Sequence, residues 1–182
     1  MMENRDQHTI YTIGHSTRSL EEFIELLHSF EIKNLADIRS MPGSRKFPWF
    51  DSELLEVSLI DAGIDYRLIK KLGGRRKSHK DSKNTRWHKD AFRSYADYME
   101  TPEFEEGIAD LLDFAKTGRT AYMCAEAVWW CCHRSMVSDY LKAKGWKVLH
   151  IMSPKKAEEH PYTQPVIVKG DRVFYCDLPD EN

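Results

Sequence analysis

The sequence predicts an α/β domain: a mainly parallel sheet flanked by helices in a Rossmann-like three-layer arrangement, with a C-terminal β-hairpin. Three observations lead there. Short β-branched and aromatic runs alternate with amphipathic stretches. The connections between those runs are long enough to hold helices, as parallel neighbours require. The chain has 182 residues, 41% of them apolar and 12% aromatic, enough for one core. No repeat, low-complexity tract or linker divides it, so residues 1–182 read as a single domain with residues 164–177 as an appended hairpin.

Each element has its own signal. Thr9 to Ile13 is β-branched and aromatic and stops at Gly14. Ser19-Leu20-Glu21-Glu22 is a capping box that opens a helix with the stripe Leu20, Phe23, Ile24, Leu27 and Phe30. Asn34 to Ile38 is a second strand, and Ser40 to Pro48, with two prolines and a glycine, is a loop. Asp51 or Ser52 caps a helix that Gly63 stops, and Asp65 to Lys70 is a third strand. Thr101-Pro102-Glu103 supplies the cap and first turn of a helix ending near Gly118. Thr120 to Met123 is a buried strand, Ser135 to Lys144 a helix with Met136, Val137, Tyr140 and Leu141 on one face, and Lys147 to Met152 a fifth strand. Pro165 to Lys169 and Arg172 to Tyr175 flank Gly170-Asp171, a two-residue hairpin signal.

Composition narrows the function classes. With 27 basic and 29 acidic residues, bulk charge does not suit a protein that coats nucleic acid. Any anion must be held by a local patch. The polar N-terminus, Met1 to His8, lacks the apolar core of a signal peptide, and no run is long enough to span a bilayer, so no membrane partner and a cytoplasmic location are expected. Four cysteines, two of them adjacent, form no disulfide framework and in a reducing compartment remain thiols.

In a parallel sheet the residues just beyond the strand ends become neighbours, and ligands bind at that carboxyl edge. The site-forming types fall there: Gly14, His15 and Ser16 after the first strand; Arg39, Ser44 and Arg45 after the second; Gly73, Gly74 and Arg75 after the third; Cys124 and Glu126 after the fourth; His150 and Ser153 around the fifth. Cys132, followed by His133 and Arg134 where a helix begins, has the setting that lowers a thiol's pKa and makes a nucleophile; the alternative is a small apolar packing group. Cys124 is a second thiol of the same kind. Glu126, after a buried strand, is expected either to pair with Arg39 or Arg134 or to serve proton transfer, and His15 is a candidate base or phosphate donor. Asp37 more plausibly orients Arg39 or a loop amide. Arg39, Arg45, Arg75 and Arg134 supply guanidinium forks suited to phosphate or carboxylate oxygens, with Ser16 and Ser44 as hydroxyl donors. Gly73-Gly74 permits close backbone approach to a ligand.

From Arg75 to Lys89 there are seven basic residues and one acid, a local +6 that with Trp87 and His88 could grip a nucleic-acid backbone, close as a lid or simply be a solvated loop. Trp129 and Trp130 could stack a base or sugar ring, or be core. No Walker or dinucleotide fingerprint is present, so no cofactor is expected. Structural zinc is disfavoured too, because adjacent Cys131 and Cys132 chelate poorly in tetrahedral geometry.

Gly14-His15-Ser16, Asp37-Ile38-Arg39 with Pro42-Gly43-Ser44-Arg45, Leu72-Gly73-Gly74, Cys124-Ala125-Glu126 and Cys132-His133-Arg134 resemble the successive motifs of the prokaryotic domain of unknown function 488 family, from about Ile10 to Ile151. The resemblance implies an α/β domain and supplies no activity to carry over. Where that family usually has charged residues and a proline between its last two motifs, this chain has Ala127-Val128-Trp129-Trp130-Cys131, an apolar or stacking wall with an added cysteine.

The reading that follows is a cytoplasmic enzyme, a cysteine-dependent hydrolase or transferase, acting on a phosphate-bearing substrate such as a nucleotide or nucleic-acid component. Cys132 and Cys124 supply thiol chemistry; Glu126, His15 and His133 serve proton transfer; the four arginines grip the anion. A non-catalytic nucleic-acid or ligand-binding module is the alternative, with the Arg75 to Lys89 loop and the paired tryptophans as the recognition surface.

Overall fold

The computed structural model describes residues 8–180; apart from His8, the polar N-terminal run used above lies outside them. The elements follow in the order β1 (Thr9–Gly14), α1 (Leu20–Ser29), β2 (Asn34–Asp37), α2 (Ser52–Asp61), β3 (Asp65–Leu68), α3 (Asp90–Tyr98), α4 (Pro102–Ala115), β4 (Thr120–Cys124), α5 (Arg134–Ala143), β5 (Lys147–Ser153), β6 (Lys156–Glu159), β7 (Ile167–Lys169) and β8 (Arg172–Phe174). Six strands form one sheet in the order β3-β2-β4-β1-β5-β6, and β7 and β8 pair with each other as a separate hairpin. Every neighbour in the sheet is parallel except β5 and β6. The predicted fold class is therefore the one observed.

The caps form where the sequence places them. Ser19 accepts from the Glu22 N–H at 3.1 Å, Asp51 from Glu53 at 3.3 Å and Thr101 from Phe104 at 3.4 Å, each satisfying an amide that the first helical turn leaves open. Several bounds shift. β3 stops at Leu68 because Lys70–Leu72 tightens into a 3-10 turn, β2 stops at Asp37, α5 starts one residue early at Arg134, and β7 starts only at Ile167. Two elements have no counterpart in the sequence reading. α3 presents Tyr95 to the core, but it follows directly on the basic run and looks like its continuation. β6, Lys-Ala-Glu-Glu, carries three charged residues, because it is an edge strand needing only one apolar partner face.

The core divides into two layers, and the division shows where each helix lies. Ile10, Ala36, Ile38 and Tyr122 pack with residues of α3, α4 and α5. Tyr11, Ile13, Leu35, Ala121 and Met123, the alternate positions of the same strands, pack with α1 and α2. After β1 the chain thus departs to one face and after the adjacent β4 to the other. That divergence is a topological switch point, the place where open α/β sheets make their ligand crevice. Among the described residues no helix is long and apolar enough to cross a membrane.

One buried side chain ties the opposite end of the sheet together. Asn34 donates from Nδ2 to the Phe114 carbonyl at 2.9 Å, to Thr117 Oγ1 at 2.9 Å and to Thr120 Oγ1 at 3.2 Å, linking the start of β2 to the end of α4 and the start of β4. Asn34→Ala removes this buried link between three elements, so urea titration should show a loss of about 1–3 kcal/mol.

Candidate active site

Gly14 and Cys124 are register partners at the ends of β1 and β4. The ladder continues beyond the strands: His15 N–H donates to the Cys124 carbonyl at 3.0 Å and Ser16 N–H to the Ala125 carbonyl at 2.9 Å. Two motifs far apart in sequence thereby run side by side. A side chain at position 14 would overlap the carbonyl oxygen of Glu126, and the Arg134 guanidinium lies against the same point, so only glycine fits.

On the α5 face the two thiols meet. Cys124, only 2% exposed, and Cys132, 7% exposed, have their sulfurs 3.0 Å apart. Cys132 Sγ also accepts the Arg134 backbone N–H at 3.3 Å and its Nε–H at 3.4 Å. Burial pushes the Cys132 thiol up, but the Cys124 S–H and the Arg134 donors outweigh it and bring its pKa down to about 7. Burial and the neighbouring sulfur hold Cys124 well above the ordinary thiol value. When Cys132 ionises, its thiolate is solvated by the Cys124 S–H and the Arg134 donors.

Arg134 is 1% exposed and every arm is used. Besides the sulfur it donates to the Glu126 carbonyl at 2.7 Å, the Ala127 carbonyl at 3.4 Å and Thr12 Oγ1 at 3.1 Å. Thr12 begins a buried chain of polar groups. Its hydroxyl bonds His150 Nδ1 at 2.6 Å, His150 Nε2 bonds His160 Nδ1 at 3.0 Å, and His160 Nε2 bonds Asp139 at 2.7 Å. Asp139 also accepts from Thr163 and Tyr175. A carboxylate only accepts, so the proton positions run one way, each group donating toward Asp139 and away from Arg134. Trp129 stacks on His150 with ring centres 4.6 Å apart and planes 6° from parallel.

On the α1 and α2 face lies a second cluster. Arg39 grips Asp37 with two bonds of 2.9 and 2.7 Å, and the Tyr66 hydroxyl donates to the same carboxylate at 2.6 Å. His15 stacks on Phe50, donates from Nδ1 to the Ser16 carbonyl at 2.9 Å and receives Arg39 Nη1 at Nε2, 3.4 Å away. Burial lowers its pKa to about 4, so the ring is neutral at pH 7. Arg18, half-buried, donates to the Gly14 carbonyl and stands between the clusters, close enough to act electrostatically on both Arg134 and His15.

The structure thus brings His15, Ser16, Arg39, Cys124, Cys132, His133 and Arg134 to one sheet edge, but divides them between its faces. Several expected roles change. No hydrogen bond among the described residues joins His15 to either thiol; the proton partner of Cys132 is Cys124. Glu126 is exposed and does not pair with Arg39 or Arg134, whose arms are taken by Asp37 and by sulfur and carbonyl groups. His133 donates from Nε2 to the Ile38 carbonyl at 2.9 Å, and burial lowers its pKa to about 4. The four-arginine grip does not assemble: Arg39 and Arg134 are buried and committed, while Arg45 and Arg75 are exposed. Ser44 caps Phe47 N–H at 3.0 Å. Gly73 and Gly74 admit protein atoms, since added side chains there would collide with Ser40 and the His133 ring.

Thr12, Arg18, Asp139 and His160 were not singled out from the sequence. Thr12, a polar residue inside an apolar strand, carried a usable signal; Asp139 and His160, separated by 21 residues, carried none until folding paired them.

A cleft with aromatic and basic walls lies at the turn that precedes Cys132. It measures about 730 Å³ and is lined by Arg86, Trp87, His88, Lys89 and Phe92 on one side and Trp129, Trp130 and Tyr162 on the other. Its wall reaches Cys132 through one turn, Trp129–Cys131, whose first carbonyl accepts the Cys132 N–H at 3.4 Å.

Residues 19–141 match the family described as Domain of unknown function DUF488. That is more than half of the chain, and the chain belongs to that family. No curated protein and no solved structure matches it.

Burial lowers the pKa values of His15 and His133 to about 4 and of His150 to about 2, below the ordinary 6.5. In the unfolded chain these rings bind protons near pH 6.5 and in the folded protein only further down. Their contribution is complete above pH 6.5 and is lost as pH falls toward 4. Denaturant titrations across that window should show stability falling, with proton uptake on unfolding of about two to three per molecule.

Proposed function

We propose that this DUF488 member is a cysteine-dependent hydrolase or transferase acting on a phosphate-bearing substrate, a nucleotide or nucleic-acid component, at the carboxyl edge of the sheet. One observation carries the reading: a buried thiol with a pKa of about 7, held by a second thiol and a guanidinium. A cysteine that merely packs gains nothing from such partners, whereas a nucleophile needs them to be ionised at neutral pH. Cys132 attacks the electrophilic centre, and Cys124 is the nearest group able to pass a proton. Glu126 is exposed two residues beyond Cys124. Arg39 and His15 shape the loop after β1 and stay clear of the chemistry. The neighbouring cleft supplies what a nucleotide asks for, aromatic faces for the base and His88 and Lys89 for the phosphate.

Alkylation of Cys132, followed by mass spectrometry of its peptide across pH, should give a midpoint near 7 in the wild type. In Cys124→Ala the midpoint should rise toward the ordinary value of about 8.5, slowing alkylation at pH 7 roughly tenfold or more. Nucleotides or short oligonucleotides should leave a covalent adduct on Cys132 or be turned over, with loss of both in Cys132→Ser. An ordinary midpoint in the wild type removes the reading.

The cleft also favours a second reading, a nucleic-acid-binding module. The basic run and the paired tryptophans, remote in sequence, face each other across it, and Trp130 is 52% exposed. Fluorescently labelled single-stranded DNA should then bind with an affinity that falls steeply with salt, and Trp130→Ala should weaken it roughly 5- to 150-fold. Undetectable binding at low salt would end this second reading.

A further inference from the structure

We propose that Cys124 and Cys132 are a redox-active dithiol, oxidised by hydroperoxides to an intramolecular disulfide that shuts off the nucleophile. Three observations lead to it. The sulfurs already stand 3.0 Å apart, so bond formation needs an approach of roughly 1 Å. In the segment between the two residues Ala125, Glu126, Ala127, Trp130 and Cys131 are exposed, and the carbonyls of Glu126 and Ala127 are held by the same Arg134 that contacts Cys132. Arg134 donates to the Cys132 sulfur at 3.4 Å and so favours its thiolate, the form that attacks peroxide oxygen.

The chemistry closes without a further reagent. The Cys132 thiolate attacks the terminal oxygen of a hydroperoxide; an S–O bond forms, the O–O bond breaks, and the leaving alkoxide takes a proton from water. Cys124 then attacks the sulfenic sulfur. The S–S bond forms, the S–O bond breaks, and the departing hydroxide leaves as water with the Cys124 proton. Two electrons pass from the thiols to the peroxide, which ends as an alcohol, or as water when the oxidant is hydrogen peroxide.

The return takes two molecules of a monothiol such as glutathione: the first attacks Cys132 and releases the Cys124 thiol, the second releases Cys132 and leaves as glutathione disulfide, and the buried chain from Thr12 to Asp139 bears on how easily this happens. Closing the disulfide deprives Arg134 of its anionic neighbour, a costly change for a guanidinium that is 1% exposed. The acceptors left to it are Thr12 and two carbonyls, and Thr12 is polarised through His150 and His160 by Asp139. Arg134 is thus satisfied in both states but better in the reduced one, the arrangement that makes a disulfide easy to reduce. The same thiolate serves the proposed nucleophile, so this inference rests on that reading for its consequence but not for the bond itself.

The test uses the whole protein, hydrogen peroxide as oxidant and peptide mapping as readout. After brief exposure and alkylation, a peptide pair joined through Cys124 and Cys132 should appear, lighter by two hydrogens, with Cys131 and Cys176 still alkylated. Excess reduced glutathione should dissolve the link. Cys131→Ser should form it equally well, and Cys124→Ser should instead accumulate Cys132 sulfenic acid that reacts with dimedone. Oxidation that links Cys131 to either thiol or to a second molecule overturns the proposal, as does wild-type Cys132 over-oxidising as fast as in Cys124→Ser. Should the serine variant at 124 fail to fold, the wild-type and Cys131→Ser maps still decide. A Cys124–Cys132 link in a protein whose Cys132 forms no substrate adduct keeps the redox site and discards the enzyme reading; an adduct without the link does the reverse.

Discussion

A guanidinium removed from water costs several kcal/mol unless hydrogen bonds and opposite charge replace its hydration. Arg134 meets that condition through partners from three parts of the chain: its own neighbour Cys132, the carbonyls of Glu126 and Ala127 after β4, and Thr12 in the middle of β1. Its burial explains several features at once. The carbonyl of Glu126 is drawn over position 14, where only glycine leaves room. The loop after β4 is pinned to the start of α5. The sulfur of Cys132 is given a cation to face.

The same guanidinium separates two chemistries. On its side of the sheet lie two thiols, flanked by a buried hydrogen-bonded chain from Thr12 through His150 and His160 to Asp139. On the opposite side, Arg39, Asp37, Tyr66 and His15 form a closed ion-pair cluster in which each polar atom has a fixed partner. A cluster so satisfied has little left to offer a ligand. Its value is geometric: it sets the path of the loops after β1 and β2, and hence the opening beside the thiols.

The proposed division of labour follows from burial. In that proposal chemistry lies under the Trp129–Cys131 turn, where Cys132 is buried among fixed donors, and recognition lies outside it, where Trp130 is exposed and basic side chains line the cleft. Trp129 joins the two, since its ring packs on His150 inside while its turn forms the cleft wall. A ligand stacking in the cleft would press on the turn that carries Cys132.

The alternation of strands and helices, the caps at Ser19, Asp51 and Thr101, and the gathering of Gly14, Arg39, Cys124 and Cys132 at one edge could all be read from the chain, because each depends on local periodicity or on strands running in a common direction. The identity of the reactive pair could not. A strand reverses the facing of its side chains at every residue, so motifs that reach the same edge still point to opposite faces, and only packing decides that Cys124 meets Cys132 while His15 meets Arg39. Glu126, Arg45 and Arg75 looked like site residues by type, yet burial, a property of the assembled layers, leaves them exposed and places Thr12, Asp139 and His160 in the network around Arg134.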